Sequence, residues 1–300
     1  MMHAAMLLAS GAAMLAWRPC RDAEGRAPRA ALAMLLSGAA SVWAGSLGLV
    51  VGVVTGQLGD PVAACGVLWT HIVAGDLGWW RAALLVAWLF ALPGHAVFTL
   101  VPAIATTRRV RSRLTRLGTG LAAHPHVVAV PELRTTAVTV GLLRPLIAVD
   151  TAFWSQATPL QQAIVLAHEG AHRRYRHNLV ELLARGLTAP LPGTGAIYEC
   201  VRRHLEALAD DAAVRAHGRQ PVGLALGRIA LATYPAAGLG ASGAAVWRVQ
   251  RLVAPTPAPA WRDRLLLLGT TFSLAAGLVL VAAEAASALG PVADPSFCPL

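Results

Sequence analysis

From Ala30 to Gly56 the chain carries no formal charge, and the same holds for Met1–Trp17, Ala82–Thr107 and Leu265–Ala283. A bilayer's hydrocarbon core is about 30 Å thick and a helix rises about 1.5 Å per residue, so about 20 apolar residues cross it. Ala30–Gly56 meets that length outright. Ala82–Thr107 meets it with an interruption at Pro93-Gly94-His95, and the other two come close. Only 13% of the 300 residues are charged and mean hydropathy is +0.57, too little polar surface for a soluble chain of this size. The expectation is an α-helical membrane protein with four spans. Met1–Trp17 has no leading basic residue and ends in Trp17-Arg18-Pro19 rather than a small-residue cleavage site, so it reads as an uncleaved anchor.

All 25 basic residues are arginine, and their positions set an orientation. Clusters follow the first span (Arg18, Arg21, Arg26, Arg29) and the third (Arg108, Arg109, Arg111, Arg113, Arg116), and Arg262 and Arg264 precede the fourth. The positive-inside rule places all three in the cytoplasm, with both termini outside a cell membrane. Pro61–Gly75 is too short to span and reads as an external loop. The expected partition is a three-span region over 1–107, a cytoplasmic domain over 108–264, and a last span with a short external tail over 265–300. Arg108–Arg116 is explained by anionic lipid beside a span, and no direct nucleic-acid binding is expected. Cys20, Cys65, Cys200 and Cys298 form no C-x-x-C pair, so neither a zinc ribbon nor a disulfide framework is implied. In this topology Cys65 and Cys298 share the external side, which leaves a pairing between them open.

Within 108–264, three β-branched-rich runs, HVVAVP, TTAVTVG and RPLIAVD, predict strands from His126 onward. Thr158-Pro159 supplies an N-cap and a first-turn proline for a helix running through LQQAIVLAHEGAHRRYRHNLVELLARG to Gly186. Gly170 inside that helix costs about 1 kcal/mol relative to Ala, which a close neighbour over its face would explain. Gly186–Tyr198 reads as an apolar loop, and helices follow at about Glu199–His217 and Val222–Ala232.

HEGAH places His168 and His172 four residues apart, on one face of a helix, where both imidazoles can bind one tetrahedral zinc. Glu169, beside the first histidine, is positioned to act as general base on a water that the metal acidifies. By composition, H-E-x-x-H arises by chance about once in a hundred such sequences. Glu206, on the next long helix, completes a two-histidine, one-glutamate set with an open fourth position. Asp210, one turn further on, can hydrogen-bond a ligating histidine and fix its tautomer. The strand Thr136, Ala137, Val138, Thr139, Val140 offers an edge to which an extended peptide can add. Tyr175, Tyr198 and His204 are open candidates for an oxyanion donor. His95 beside Pro93, and His71 with Asp76 outside, are readable as either functional or structural.

GLLRPLIAVD, LQQAIVLAHEGAH and HLEALADDAA together resemble the BlaR/MecR family of integral-membrane zinc metallopeptidases, over roughly Ala137–Ala213. HtpX-like membrane proteases are more distant relatives of that family. The resemblance implies an inserted α+β, gluzincin-like domain holding one Zn²⁺ on His168, His172 and Glu206, with Glu169 as base and Asp210 in support. It also relates Arg248 and Arg251 of WRVQRLV to an arginine-bearing helix that precedes the last span. The implied activity is hydrolysis of a cytoplasmic protein, a winged-helix repressor of the BlaI/MecI kind, in transmembrane signalling. Alternatives are an HtpX-like quality-control protease or a non-catalytic membrane receptor or scaffold with a structural metal. His177-Asn178 stands where many members carry an Asp. Only a short tail follows the last apolar stretch, where the best-known members carry a penicillin-binding sensor domain.

Overall fold

Long uncharged sequence produces the first two large helices. A computed structural model describes residues 11, 28–55, 61–133, 135–189, 194–233 and 243–253. The apolar stretches at Met1–Trp17 and Leu265–Ala283, the arginines that flank them except Arg29, and Cys20 and Cys298 lie outside the described residues. Helix α1 (Pro28–Thr55) is followed by α2 (Pro61–Ala74) and α3 (Trp79–Leu117). Two helices, Ala31–Thr55 and Trp79–Leu117, are long and apolar enough to cross a membrane.

Two expectations change here. Pro61–Gly75 is not a loop: its apolar run folds as α2, which packs on α1. Fourteen residues at about 1.5 Å each reach about 21 Å, so α2 is a helix too short to cross a hydrocarbon core of about 30 Å. Pro93-Gly94-His95 does not break α3, which carries Pro93 and Pro102 internally. In an apolar medium the helix remains the way to satisfy the other backbone groups, so a lost hydrogen bond or two is tolerated. The boundary at 107/108 falls inside α3, which continues through Arg108–Arg116 into the sheet.

The sheet orders its strands β1-β2-β4-β3, from β1 (Thr119–Leu121), β2 (His124–Val130), β3 (Ala137–Val140) and β4 (Leu146–Asp150). β2 and β4 run parallel; β1 and β3 flank them antiparallel. Period-two alternation sends Val130, Val140 and Ala148 toward Leu114 at the end of α3. Val127, Ala129, Ile147 and Val149 face the opposite way, onto Trp154 and Leu166. β3 is therefore an edge strand. It ends at Gly141, whose φ of +118° is a conformation that side-chain-bearing residues rarely adopt.

Asp150 caps the short α4 (Thr151–Gln156) by accepting from the Phe153 amide at 2.8 Å. Thr158 opens α5 (Pro159–Arg174) with a reciprocal capping box to Gln161 and Pro159 in the first turn, as the sequence indicates. The helix does not run on to Gly186. It stops at Tyr175, and Arg176 turns the chain in the left-handed region (φ 52°) before α6 (His177–Thr188). Helix α7 (Thr194–His217) begins inside the expected apolar loop, and α8 (Arg219–Thr233) and α9 (Gly243–Val253) complete the described residues.

Helix α6 ties this domain to the apolar helices. Gly186 lies against Leu100 of α3, where an added Cβ would come within 2.8 Å of a methyl carbon. The Trp43 indole of α1 donates to the Leu187 carbonyl at 2.8 Å. Leu32 and Leu35 of α1 pack with Ala184, Val201 and Leu205 of α6 and α7. Cys200 is half of a disulfide whose other half lies beyond the described side chains, a pairing the scattered cysteine spacing does not announce.

Candidate metal centre

Helices α5 and α7 pack closely and bring His168, His172 and Glu206 together, with ligand atoms all within 4.8 Å of one another. The Nε2 atoms of His168 and His172 are 3.2 Å apart. Glu206 places one carboxylate oxygen 3.3 Å from His168 Nε2 and the other 3.5 Å from His172 Nε2. Donors bound at about 2.0–2.1 Å around a tetrahedral ion lie about 3.3 Å apart, so the three fit a small cation without rearrangement. The group could hold a metal ion.

The surrounding residues fix the ring orientations. Asp210, fully buried, lies 3.0 Å from His168 Nδ1 and takes the hydrogen bond that leaves Nε2 facing the other donors. His172 Nδ1 lies 3.0 Å from Nδ1 of His177, itself buried. With His172 Nε2 turned toward the metal position, His172 donates and His177 accepts. Burial lowers the pKa of His172 to about 4, aided by the neighbouring His168 charge, and that of His177 to about 3, so both rings stay neutral. Burial also opposes a charge on His168, but Asp210 and Glu206 outweigh it and raise its pKa to about 9. A pocket that holds a proton so firmly is one whose field favours a cation.

Arg248 of α9 closes the site. Its guanidinium grips both oxygens of Asp210, at 2.6 and 2.9 Å, and reaches Glu206 at 3.0 Å. Desolvation works against these ionised forms, yet the pairing holds the Asp210 and Glu206 carboxyls below their ordinary range and Arg248 above its own. Arg251, one turn on, pairs with Asp211 at 2.6 Å. The ionised carboxylates of Glu206 and Asp210 are met by Arg248 and by the protonated His168, and a cation bound at Nε2 would take the place of that proton.

Glu169 is buried with its carboxylate accepting from the Thr139 hydroxyl at 2.6 Å, and desolvation raises its pKa. That contact joins helix α5 to edge strand β3 across a cavity of about 540 Å³. Thr136, Ala137, Val138 and Thr139 border this cavity, and Thr135 adds to them. Val140 does not: it is buried in the cluster with Leu114 on the far face of the sheet. Thr136 turns its carbonyl inward to the Asp150 amide, so by alternation Ala137 and Thr139 direct their backbone groups to the open edge. Asn178 caps part of that edge, donating to the Thr139 and Gly141 carbonyls at 2.8 and 3.2 Å.

None of Tyr175, Tyr198 and His204 lines the cavity; Tyr198 donates instead to Glu181, and Tyr175 stacks on His177. The cationic donor at the metal position is Arg248. Gly170 has no close neighbour over its face. His71 pairs with Asp76 at 2.7 Å, away from the site. The fold and the donor set define a mostly helical protein with a small mixed sheet, two apolar helices of membrane-spanning length and a His₂Glu group able to bind metal. Comparison with family models, with curated proteins and with solved structures finds no match for the chain.

Proposed function

We propose that this protein is an integral-membrane zinc metallopeptidase that hydrolyses a peptide bond in a cytoplasmic protein, by resemblance a winged-helix repressor, during transmembrane signalling. The observation that carries the reading is one cavity lined by three metal donors, a buried carboxylate that does not belong to the donor set, and the open edge of a β-strand. A purely structural metal site has no use for Glu169 at that position. Nitrogen and carboxylate donors at tetrahedral spacing favour zinc.

His168, His172 and Glu206 would hold the ion, which supplies Lewis acidity toward a carbonyl and toward water. The protein's own residues supply the rest. The Ala137 and Thr139 edge pairs with an extended substrate and holds it along the cavity. Glu169, kept in place by Thr139, takes a proton from the attacking water and passes it to the leaving amine. Asp210 and His177 hold the ligating imidazoles in register, and Arg248 holds Asp210 and Glu206.

The same reading makes α1 and α3 two of four spans and the sheet domain cytoplasmic, as the arginine clusters indicate. The disulfide at Cys200 pulls against that side, because cytosolic thiols are kept reduced. Protease added to intact spheroplasts decides: a protected domain supports the cytoplasmic assignment, and a digested one reverses it.

A quality-control protease acting on membrane proteins is the second reading. It is favoured by the end of α6, which meets Trp43 and Leu100 within the two uncharged stretches and so carries the domain to apolar depth. The experiment compares wild type with Glu169→Gln in detergent, on a co-expressed repressor and on an unfolded membrane protein. Cleavage of the repressor by wild type alone supports signalling, and broad cleavage supports quality control. Cleavage by neither, with zinc bound, removes the peptidase reading.

A further inference from the structure

Helix α5 has a second face. His168, Glu169 and His172 look into the metal cavity, while Gly170 and Arg174 lie on the opposite side, as a rotation of about 100° per residue requires, and Arg173 stands at its margin. There they line a separate cavity of about 700 Å³. Arg111 of α3, Arg144 of the β3–β4 turn, Arg176 and His126 complete its basic wall, and no carboxylate lines it. None of the five arginines has an ion-pair partner among the described residues. Five uncompensated guanidiniums around one hollow repel one another, so the arrangement gains by an anion between them.

Gly170 supplies a second, independent observation. A Cβ there would meet nothing within 4 Å, so no neighbour demands a glycine. Its helix-weakening effect becomes intelligible if the floor of this cavity has to stay clear for a ligand. The position of the cavity indicates the source of that ligand. Arg111 is three residues past Arg108, where the uncharged stretch of α3 ends, or about 4.5 Å further along the helix axis. If α3 spans a membrane as proposed above, the hollow opens at the level where phospholipid headgroups meet water.

We propose that this cavity binds a phosphate group presented at the membrane surface, in the first place the headgroup of an anionic phospholipid. Guanidiniums suit it because their paired N–H groups match phosphate oxygens two at a time. A lipid held here would touch the back of the helix whose front carries the metal donors, which gives lipid composition a direct mechanical path to the site.

The test uses the full chain in nanodiscs of phosphatidylcholine with or without phosphatidylglycerol, and native mass spectrometry counts retained lipid. Arg144→Gln with Arg174→Gln removes two charges, and Gly170→Leu fills the floor without changing charge. Arg215→Gln with Arg228→Gln, exposed arginines elsewhere, is the control for net charge. Thermal melts confirm that each variant folds. The expected result is selective retention of phosphatidylglycerol by wild type and the control. Both cavity variants lose it, the double variant by roughly 25-fold at roughly fivefold per basic residue near an anionic surface. Added inorganic phosphate separates the sources: no displacement identifies the headgroup, and displacement identifies the phosphate group alone as sufficient. Equal retention by wild type and cavity variants, or equal loss in the control, overturns the proposal. None of these readouts depends on peptidase activity.

Discussion

The two faces of helix α5 are built on opposite electrostatic plans within five residues of one another. On the front, the charged groups around the metal donors each have a partner: Asp210, fully buried, with Arg248 and His168, Glu206 with Arg248, and buried Glu169 with Thr139. On the back, five arginines stand exposed or half-exposed without carboxylates. Buried charge must be compensated within the protein or by a bound ion, whereas solvated charge can wait for a mobile partner. The front therefore has the character of a fixed, nearly neutralised cation site, and the back that of a site for an exchangeable anion.

Breaking the front should have much the larger effects. Glu169→Gln keeps the donor set and should lower peptide cleavage by about 10²–10⁴-fold with metal content unchanged, measured by single-turnover cleavage. Arg248→Ala leaves Asp210 buried without its guanidinium and should destabilise the metal-free protein by about 3–5 kcal/mol in denaturant unfolding. Arg248→Lys should recover only part of this, since an ammonium cannot grip both Asp210 oxygens. Asp210→Asn should weaken metal affinity by about 10–100-fold in a chelator competition, through loss of the charge that orients His168. The back should respond least. Gly170→Ala should raise stability by up to about 1 kcal/mol with metal affinity unchanged. A large loss there would mean that the two faces are coupled more tightly than their separate cavities suggest.

The periodic parts of this architecture were legible in the sequence, and the parts assembled over long distances were not. HEGAH, the strand runs and the Thr158-Pro159 cap each carry their signal within a few residues. Glu206 and Asp210 share a helical face at a spacing of four. His177 is not legible as a partner of His172, because the left-handed turn at Arg176 brings it back onto the site and no periodicity encodes that turn. Arg248 acts 80 residues from His168, on a short helix that nothing local links to the metal centre. The available signal was charge matching: Arg248 and Arg251 on one helix face against Asp210 and Asp211 on another. Helix α2 is too short for a full membrane crossing, and that length alone hides the helix in its apolar run.

The most direct test of the central claim is metal content after purification in detergent and dialysis against trace zinc. Wild type and Glu169→Gln should both carry stoichiometric zinc, with X-ray absorption showing nitrogen and oxygen ligands, and Glu206→Ala should carry far less. Zinc absent from wild type, or retained equally by Glu206→Ala, would contradict the His168, His172 and Glu206 centre on which the account rests.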